Sequence, residues 1–143
     1  MNYLDTAYIL RLYIEDDGWE KVRELAAEAG VACSLHGYAE TVAAFHRKYR
    51  EGTFTLPEFG QILDQFRTDC DNDAYRWFPP SPAMMDRLSK TYRKLPASLF
   101  LRASDALHLA CAAENGIKEI YSNDQRLLAA AGHFGLKGID ILS

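Results

Sequence analysis

Three aspartates stand where an alternating chain can mount chemistry. Asp5 follows the short apolar run Asn2-Tyr3-Leu4, Asp105 lies in the first turn of a helix that opens after Leu101, and Asp124 follows Glu119-Ile120-Tyr121-Ser122. One such acid is ordinary, because a helix N-terminus favours negative charge and an aspartate caps it well. Three in one alternating chain imply a carboxylate cluster, the kind of donor set that holds a divalent cation.

The elements that must position these acids can be read from the pattern of apolar residues. Between Leu101 and Leu128, a first helix carries Ala103, Ala106, Leu107, Ala110 and Ala113 on one face. Asn115-Gly116 stops it, since both residues tolerate the left-handed conformation that ends a helix. Glu119 to Ser122 reads as a strand, and Asn123-Asp124 caps a helix from Gln125 to Ala131. Upstream, the pattern predicts a strand at Asn2–Leu4, helices at Thr6–Ile14 and Trp19–Ala29, and an apolar strand at Val31–Leu35. A helix over Gly37–Arg50 has Tyr38, Val42, Phe45 and Tyr49 as its apolar stripe. Thr55, Pro57 and Glu58 have the spacing of a capped helix start, which leads into Phe59, Ile62, Leu63 and Phe66. A strand at Ala74–Phe78, a helix at Pro82–Leu95 and a last strand at Gly138–Leu142 complete the set.

This alternation predicts an α/β fold in one domain spanning residues 1–143, with a mainly parallel central sheet flanked by helices. Sites in such sheets form beyond the carboxyl ends of the strands, where Asp5 and Asp124 fall and to which Asp105 can point.

Composition narrows the function classes. No apolar run reaches the roughly 20 residues of a bilayer span. No basic region followed by an apolar stretch opens the chain, so the cytoplasm is the expected location and no membrane partner is expected. Cys33, Cys70 and Cys111 are odd in number and have no C-x-x-C spacing, as expected of thiols in a reducing compartment. A net charge of −4 weighs against a general nucleic-acid binder, yet Arg87, Lys90, Arg93, Lys94 and Arg102 face only one acid, Asp86, over that stretch. Those cations read as a solvated helix face unless a site adjoins them. P-loop, G-x-S-x-G and G-x-G-x-x-G motifs are absent. Ala7 occupies the place where haloacid-dehalogenase-type phosphatases need a second aspartate.

With these residues in view, the chain resembles the PIN-domain ribonucleases over essentially its whole length, in particular the VapC-type toxins of bacterial and archaeal toxin–antitoxin pairs. Tyr3-Leu4-Asp5-Thr6 is similar to the family's first motif. Leu101 to Ala110, LRASDALHLA, is very close to its most recognisable segment, and Tyr121-Ser122-Asn123-Asp124 is similar to the strand end that carries its final acid. Ser34 to Thr41 is similar to the segment bearing the family's glutamate, which here is Glu40. Periodicity alone puts Glu40 off the apolar stripe, near His36, Ala44 and Arg47. Ala7 and Tyr8 are bulkier than usual for the family, and Gly37 is less usual at its place.

The resemblance implies a PIN-like three-layer fold and a metal-dependent endoribonuclease, the toxin of a toxin–antitoxin pair that cuts tRNA or ribosomal RNA. Asp5, Glu40, Asp105 and Asp124 would hold Mg²⁺ or Mn²⁺, hard cations that suit oxygen donors. Thr6 and Ser122 would aim the carboxylates, Arg102 would meet the scissile phosphate, and Lys90, Arg93 and Lys94 would extend an RNA track. A homodimer and a cognate antitoxin are the implied partners. Two alternatives share the fold: a non-catalytic PIN-like binding module, and an RNA-processing or DNA-acting nuclease of the same superfamily. Of the remaining polar residues, His108 is expected to be a packed histidine, because hard oxygen sites seldom recruit imidazole. His36 and Glu40 have the four-residue spacing of zinc sites, with no third ligand evident in the sequence. Trp77, Phe78 and Tyr92 are expected to pack in the core or at a dimer contact.

Overall fold

The computed structural model describes residues 1–143. In chain order the elements are β1 (Asn2–Leu4), α1 (Thr6–Leu10), α2 (Trp19–Ala29), β2 (Val31–Ser34), α3 (His36–Arg50), α4 (Leu56–Asp71), β3 (Tyr75–Phe78), α5 (Pro82–Lys94), α6 (Ala103–Glu114), β4 (Glu119–Tyr121), α7 (Gln125–Ala131) and β5 (Lys137–Ile139). A short 3₁₀ turn, Gly132–Phe134, joins α7 to β5. The five strands form one sheet in the order β3-β2-β1-β4-β5, and every pairing is parallel.

Strand β1 is central, and its apolar residues Tyr3 and Leu4 are fully buried. Its neighbours pair Tyr3 with Ala32 on one side and with Ile120 on the other. The sheet grows one way from β1 to β2 and β3, then resumes on the opposite side with β4, so the strand order reverses between β1 and β4. A parallel α/β sheet leaves a crevice beyond the strand ends at such a reversal. Asp5 and Asp124 flank this one.

Local chemistry explains most element ends. Thr55 Oγ1 accepts from the Glu58 N–H at 3.3 Å while Glu58 Oε1 accepts from the Thr55 N–H at 2.9 Å, a reciprocal cap that starts α4. Ser81 caps α5, with Pro82 next to it.

Several boundaries differ from the expected ones, most by a single residue, and three of the differences have a clear structural cause. Helix α1 ends at Leu10, not Ile14, because the N–H groups of Arg11, Leu12 and Tyr13 bond three residues back in a tightened turn. Strand β2 ends at Ser34, because Leu35 is already in a helical conformation and exposed at the start of α3. Strand β5 runs from Lys137 to Ile139, not Gly138 to Leu142. Asp140 turns away there, and its Oδ1 accepts from the Leu142 N–H at 2.8 Å and the Tyr8 hydroxyl at 3.2 Å.

The aromatic residues are committed to packing. Phe78 is buried, and Trp77 sits among Tyr38, Phe66 and Tyr75. Tyr92 donates its hydroxyl to the Leu101 carbonyl at 2.6 Å. All three cysteines are free thiols, two of them buried.

Candidate metal centre

A cleft of about 830 Å³ opens at the carboxyl edge of the sheet and is lined by all four acids, Asp5, Glu40, Asp105 and Asp124. Each comes from a different element. Asp5 caps α1 directly after β1, with Oδ1 accepting from the Tyr8 N–H at 3.0 Å. Glu40 projects from the second turn of α3, Asp105 from the first turn of α6, and Asp124 caps α7, accepting from the N–H groups of Arg126 and Leu127.

Neighbouring hydroxyls orient the carboxylates. Ser122 donates to Asp5 Oδ2, and its oxygen accepts from the Asp124 N–H at 3.0 Å, so one side chain ties the end of β1 to the turn after β4. Thr6 donates to Glu40 Oε1 at 3.0 Å, and Ser104 donates to Glu40 Oε2 at 2.6 Å. Arg102 stands between two acids, with Nε 3.3 Å from Asp105 Oδ2 and Nη2 3.5 Å from Asp124 Oδ2.

The four acids divide into two electrostatic groups. Burial dominates at Asp5 and raises its pKa to about 6 despite the Ser122 and Tyr8 hydrogen bonds; Asp124 pushes the same way. Burial and then Asp124 likewise raise Asp105, with Arg102 opposing. Glu40 goes the other way. Burial works to raise it, but the hydrogen bond and charge of His108, with help from Ser104 and His36, take it down to about 2. The Asp5–Asp105–Asp124 end therefore holds negative charge it cannot easily carry alone, whereas Glu40 is already compensated.

This donor set fits a hard dication. The oxygen ligands are right for Mg²⁺ or Mn²⁺, and the Arg102 guanidinium already bridges Asp105 and Asp124 as a positive charge in that position.

His108 is the packed histidine expected, and both it and the cations of α3 adjoin the acids. His108 is buried beneath Glu40, its Nε2 2.6 Å from Glu40 Oε1 and its Nδ1 2.7 Å from the Tyr3 hydroxyl. Burial would lower the His108 pKa, but Cys33 and Glu40 together raise it to about 10. Gly37 leaves room for this arrangement: a Cβ there would lie 2.5 Å from Cys33 Sγ and 3.3 Å from His108 Cε1. The cleft wall carries Arg47, Lys48 and Arg50 of α3, together with Arg11. Arg47 and Arg50 lie seven and ten residues after Glu40, a helical spacing that was present in the sequence. Lys90, Arg93 and Lys94 of α5 stand outside the cleft lining, and Lys90 pairs with Asp86 at 2.9 Å.

Comparison with known proteins agrees with this architecture. The PIN domain family model matches residues 3–133. No curated protein matches the chain. Among solved structures, VapBC2 from Rickettsia felis bound to a DNA fragment from their promoter shares the fold with a TM-score of 0.66 at 15% identity, covering 98% of each chain.

Proposed function

The chain belongs to the PIN domain family, and on that premise we propose that it is a divalent-metal-dependent endoribonuclease, the toxin of a toxin–antitoxin pair, acting on a structured RNA in the cytoplasm. The observation that carries this reading is the convergence of four carboxylates, from four separate elements, on one cleft at the point where the strand order reverses. A binding module has no need of such a concentration of acid. That the structural neighbour is a VapBC2 assembly supports the toxin assignment and an antitoxin partner. A homodimer belongs to the same proposal. No helix is long and apolar enough to cross a membrane.

Asp5, Asp105 and Asp124, with Glu40 beside them, would hold Mg²⁺ or Mn²⁺. When bound, such an ion activates water and stabilises the charge that builds on a phosphodiester in transit. The chain's own residues do the rest. Ser122 keeps the Asp5 carboxylate turned toward the Asp124 side, and Thr6 and Ser104 fix the Glu40 carboxylate at both oxygens. Arg102, paired with Asp105 and Asp124 at the mouth of the cleft and more than half exposed, would meet the RNA phosphate. The cations of α3 at the cleft wall and Lys90, Arg93 and Lys94 of α5 beyond it make up the proposed backbone track.

Expression in a host lacking the partner, with wild type beside Asp105→Asn and new RNA ends mapped, tests this. Discrete ends and growth arrest from the wild type alone are expected. Equal cleavage by both proteins would refute the assignment of the acids, and a folded, Mg²⁺-supplied wild type that cuts nothing would refute the nuclease.

A further inference from the structure

We propose that His36, Glu40 and His108 form a second cation site, selective for Zn²⁺ over Mg²⁺, which shares Glu40 with the carboxylate centre. One ligand atom from each residue lies within 4.8 Å of the other two. Glu40 Oε1 is 3.5 Å from His36 Nε2 and 2.6 Å from His108 Nε2, and the two imidazole rings are 4.2 Å apart. His36 and Glu40 sit one turn apart on α3, and α6 supplies the third member.

Each donor is aimed by a hydrogen bond on the atom turned away from the centre. His36 Nδ1 is 2.7 Å from Ser34 Oγ, and His108 Nδ1 is 2.7 Å from the Tyr3 hydroxyl. The Tyr3 oxygen also accepts from the Ser34 N–H at 2.9 Å and has a second lone pair for the Nδ1–H that a metal-bound His108 would present. Ser104 holds Glu40 Oε2 and so presents Oε1. Metal-bound histidines donate the outer N–H to an oxygen and ligate through the inner nitrogen. Without the ion the inner nitrogens are engaged, His36 Nε2 donating to the Ser104 carbonyl at 3.1 Å and His108 Nε2 meeting Glu40 Oε1. Binding must therefore shift those protons to the outer nitrogens or release them.

The ligand chemistry selects the ion. Two imidazoles and one carboxylate make a zinc set with a fourth position left open, whereas Mg²⁺ avoids nitrogen. Glu40 and His36 have side chains 33% and 25% exposed, so the open position faces solvent while His108, 3% exposed, forms the floor. Tetrahedral Zn²⁺ at about 2.0–2.1 Å from each donor needs Oε1 and His108 Nε2 to part by somewhat under ~1 Å. The half-buried Glu40 side chain makes that movement by giving up the 3.0 Å Thr6 bond to Oε1 while Ser104 keeps Oε2. The geometry stands apart from the nuclease reading. If that reading holds, Zn²⁺ here withdraws Glu40 from the acids and opposes Mg²⁺-dependent turnover.

The test is a titration of the metal-free full-length protein with Co²⁺ as the spectroscopic probe, followed by Zn²⁺. Expected are the strong visible bands of a low-coordinate nitrogen–oxygen site, saturating at one equivalent, bleached by Zn²⁺ and indifferent to excess Mg²⁺. A six-coordinate carboxylate site absorbs only weakly. Asp124→Asn should retain the bands. His36→Ala and the milder His36→Gln should lose them, and Ser34→Ala should weaken Zn²⁺ binding about tenfold, as loss of a supporting hydrogen bond does elsewhere. Thermal melts in EDTA verify that each variant folds. Bands that survive both His36 variants, bands lost in Asp124→Asn, or displacement by Mg²⁺ would overturn the proposal, as would failure to bind Co²⁺ at all.

Discussion

Without a metal the Asp5 carboxylate is a liability, and the size of that liability can be worked out. Its pKa stands at about 6 in the fold against an ordinary aspartate value of 3.8, with burial the leading cause. A tenfold change in proton affinity is worth roughly 1.4 kcal/mol, so the full gap is on the order of 3 kcal/mol. For an acid whose folded pKa is raised, the folded state takes up the proton first. The metal-free fold therefore carries the whole penalty above pH 6 and gains stability as pH falls from 6 toward 3.8. Between pH 7.5 and pH 5, Asp5 alone should add about 1–2 kcal/mol, or roughly 3–8 °C in Tm at this chain length. Asp105, also raised, adds in the same direction. Glu40, depressed to about 2, sets the acid limit, because its contribution is lost as pH falls from 4.5 toward 2. His108, raised to about 10, contributes fully below 6.5 and loses that contribution as pH rises toward 10. The metal-free protein should thus be most stable near pH 5. Urea unfolding in EDTA at pH 5 and 7.5 measures this, beside Asp5→Asn. The amide keeps the Tyr8 N–H bond without the buried charge, so the variant should be the more stable protein at pH 7.5 and show a smaller gain on acidification. An equal pH dependence in both proteins, or a wild type that strengthens from pH 5 to 7.5, would refute the reasoning.

Three further outcomes are expected. Ser104→Ala frees Glu40 Oε2 and should raise the Mg²⁺ concentration needed for half-maximal cleavage about tenfold or more, an effect that metal-titrated rates would reveal. The double variant Arg47→Ala/Arg50→Ala should weaken RNA binding and flatten its logarithmic salt dependence by roughly 0.7 per cation removed. Binding measured over a salt series should show a smaller change for Lys90→Ala/Arg93→Ala/Lys94→Ala, whose side chains lie outside the cleft. Gly37→Ala drives a methyl into Cys33 and His108 and should cost about 1–3 kcal/mol; an unchanged urea midpoint would mean that α3 can move aside.

The fold was legible because its signals are local. Alternating apolar runs, the Thr55–Glu58 cap and the Asn115-Gly116 stop each act within a few residues, and the strands and helices appear where those signals put them. The misplaced ends depend on distant partners. Asp140 leaves the last strand to reach Tyr8, more than 130 residues earlier in the chain. The same distinction governs the site. Asp5, Asp105 and Asp124 announce themselves by their place at strand and helix ends. Glu40 lies inside a helix and needed a family likeness to be noticed. The third partner of His36 and Glu40 is His108, 68 residues beyond Glu40, and no spacing rule within one helix can show it. Nor could the run of cations in α5 be told from a solvated face by composition alone. In three dimensions the cleft wall belongs to α3 instead.

The close approach of Gly37 to Cys33 also bears on how such a chain can drift over generations. A glycine beside a buried thiol means that the two positions share one volume, so neither can change freely while the other stays fixed. A descendant that enlarged position 37 first would drive into the Cys33 sulfur and press on His108 behind it, whereas one that first shortened position 33 would open the space for a side chain at 37. The order of substitution is therefore constrained as well as the pair. Among relatives, bulk at one of these sites should be accompanied by smallness at the other, and double replacement should be tolerated where the single change at 37 is not.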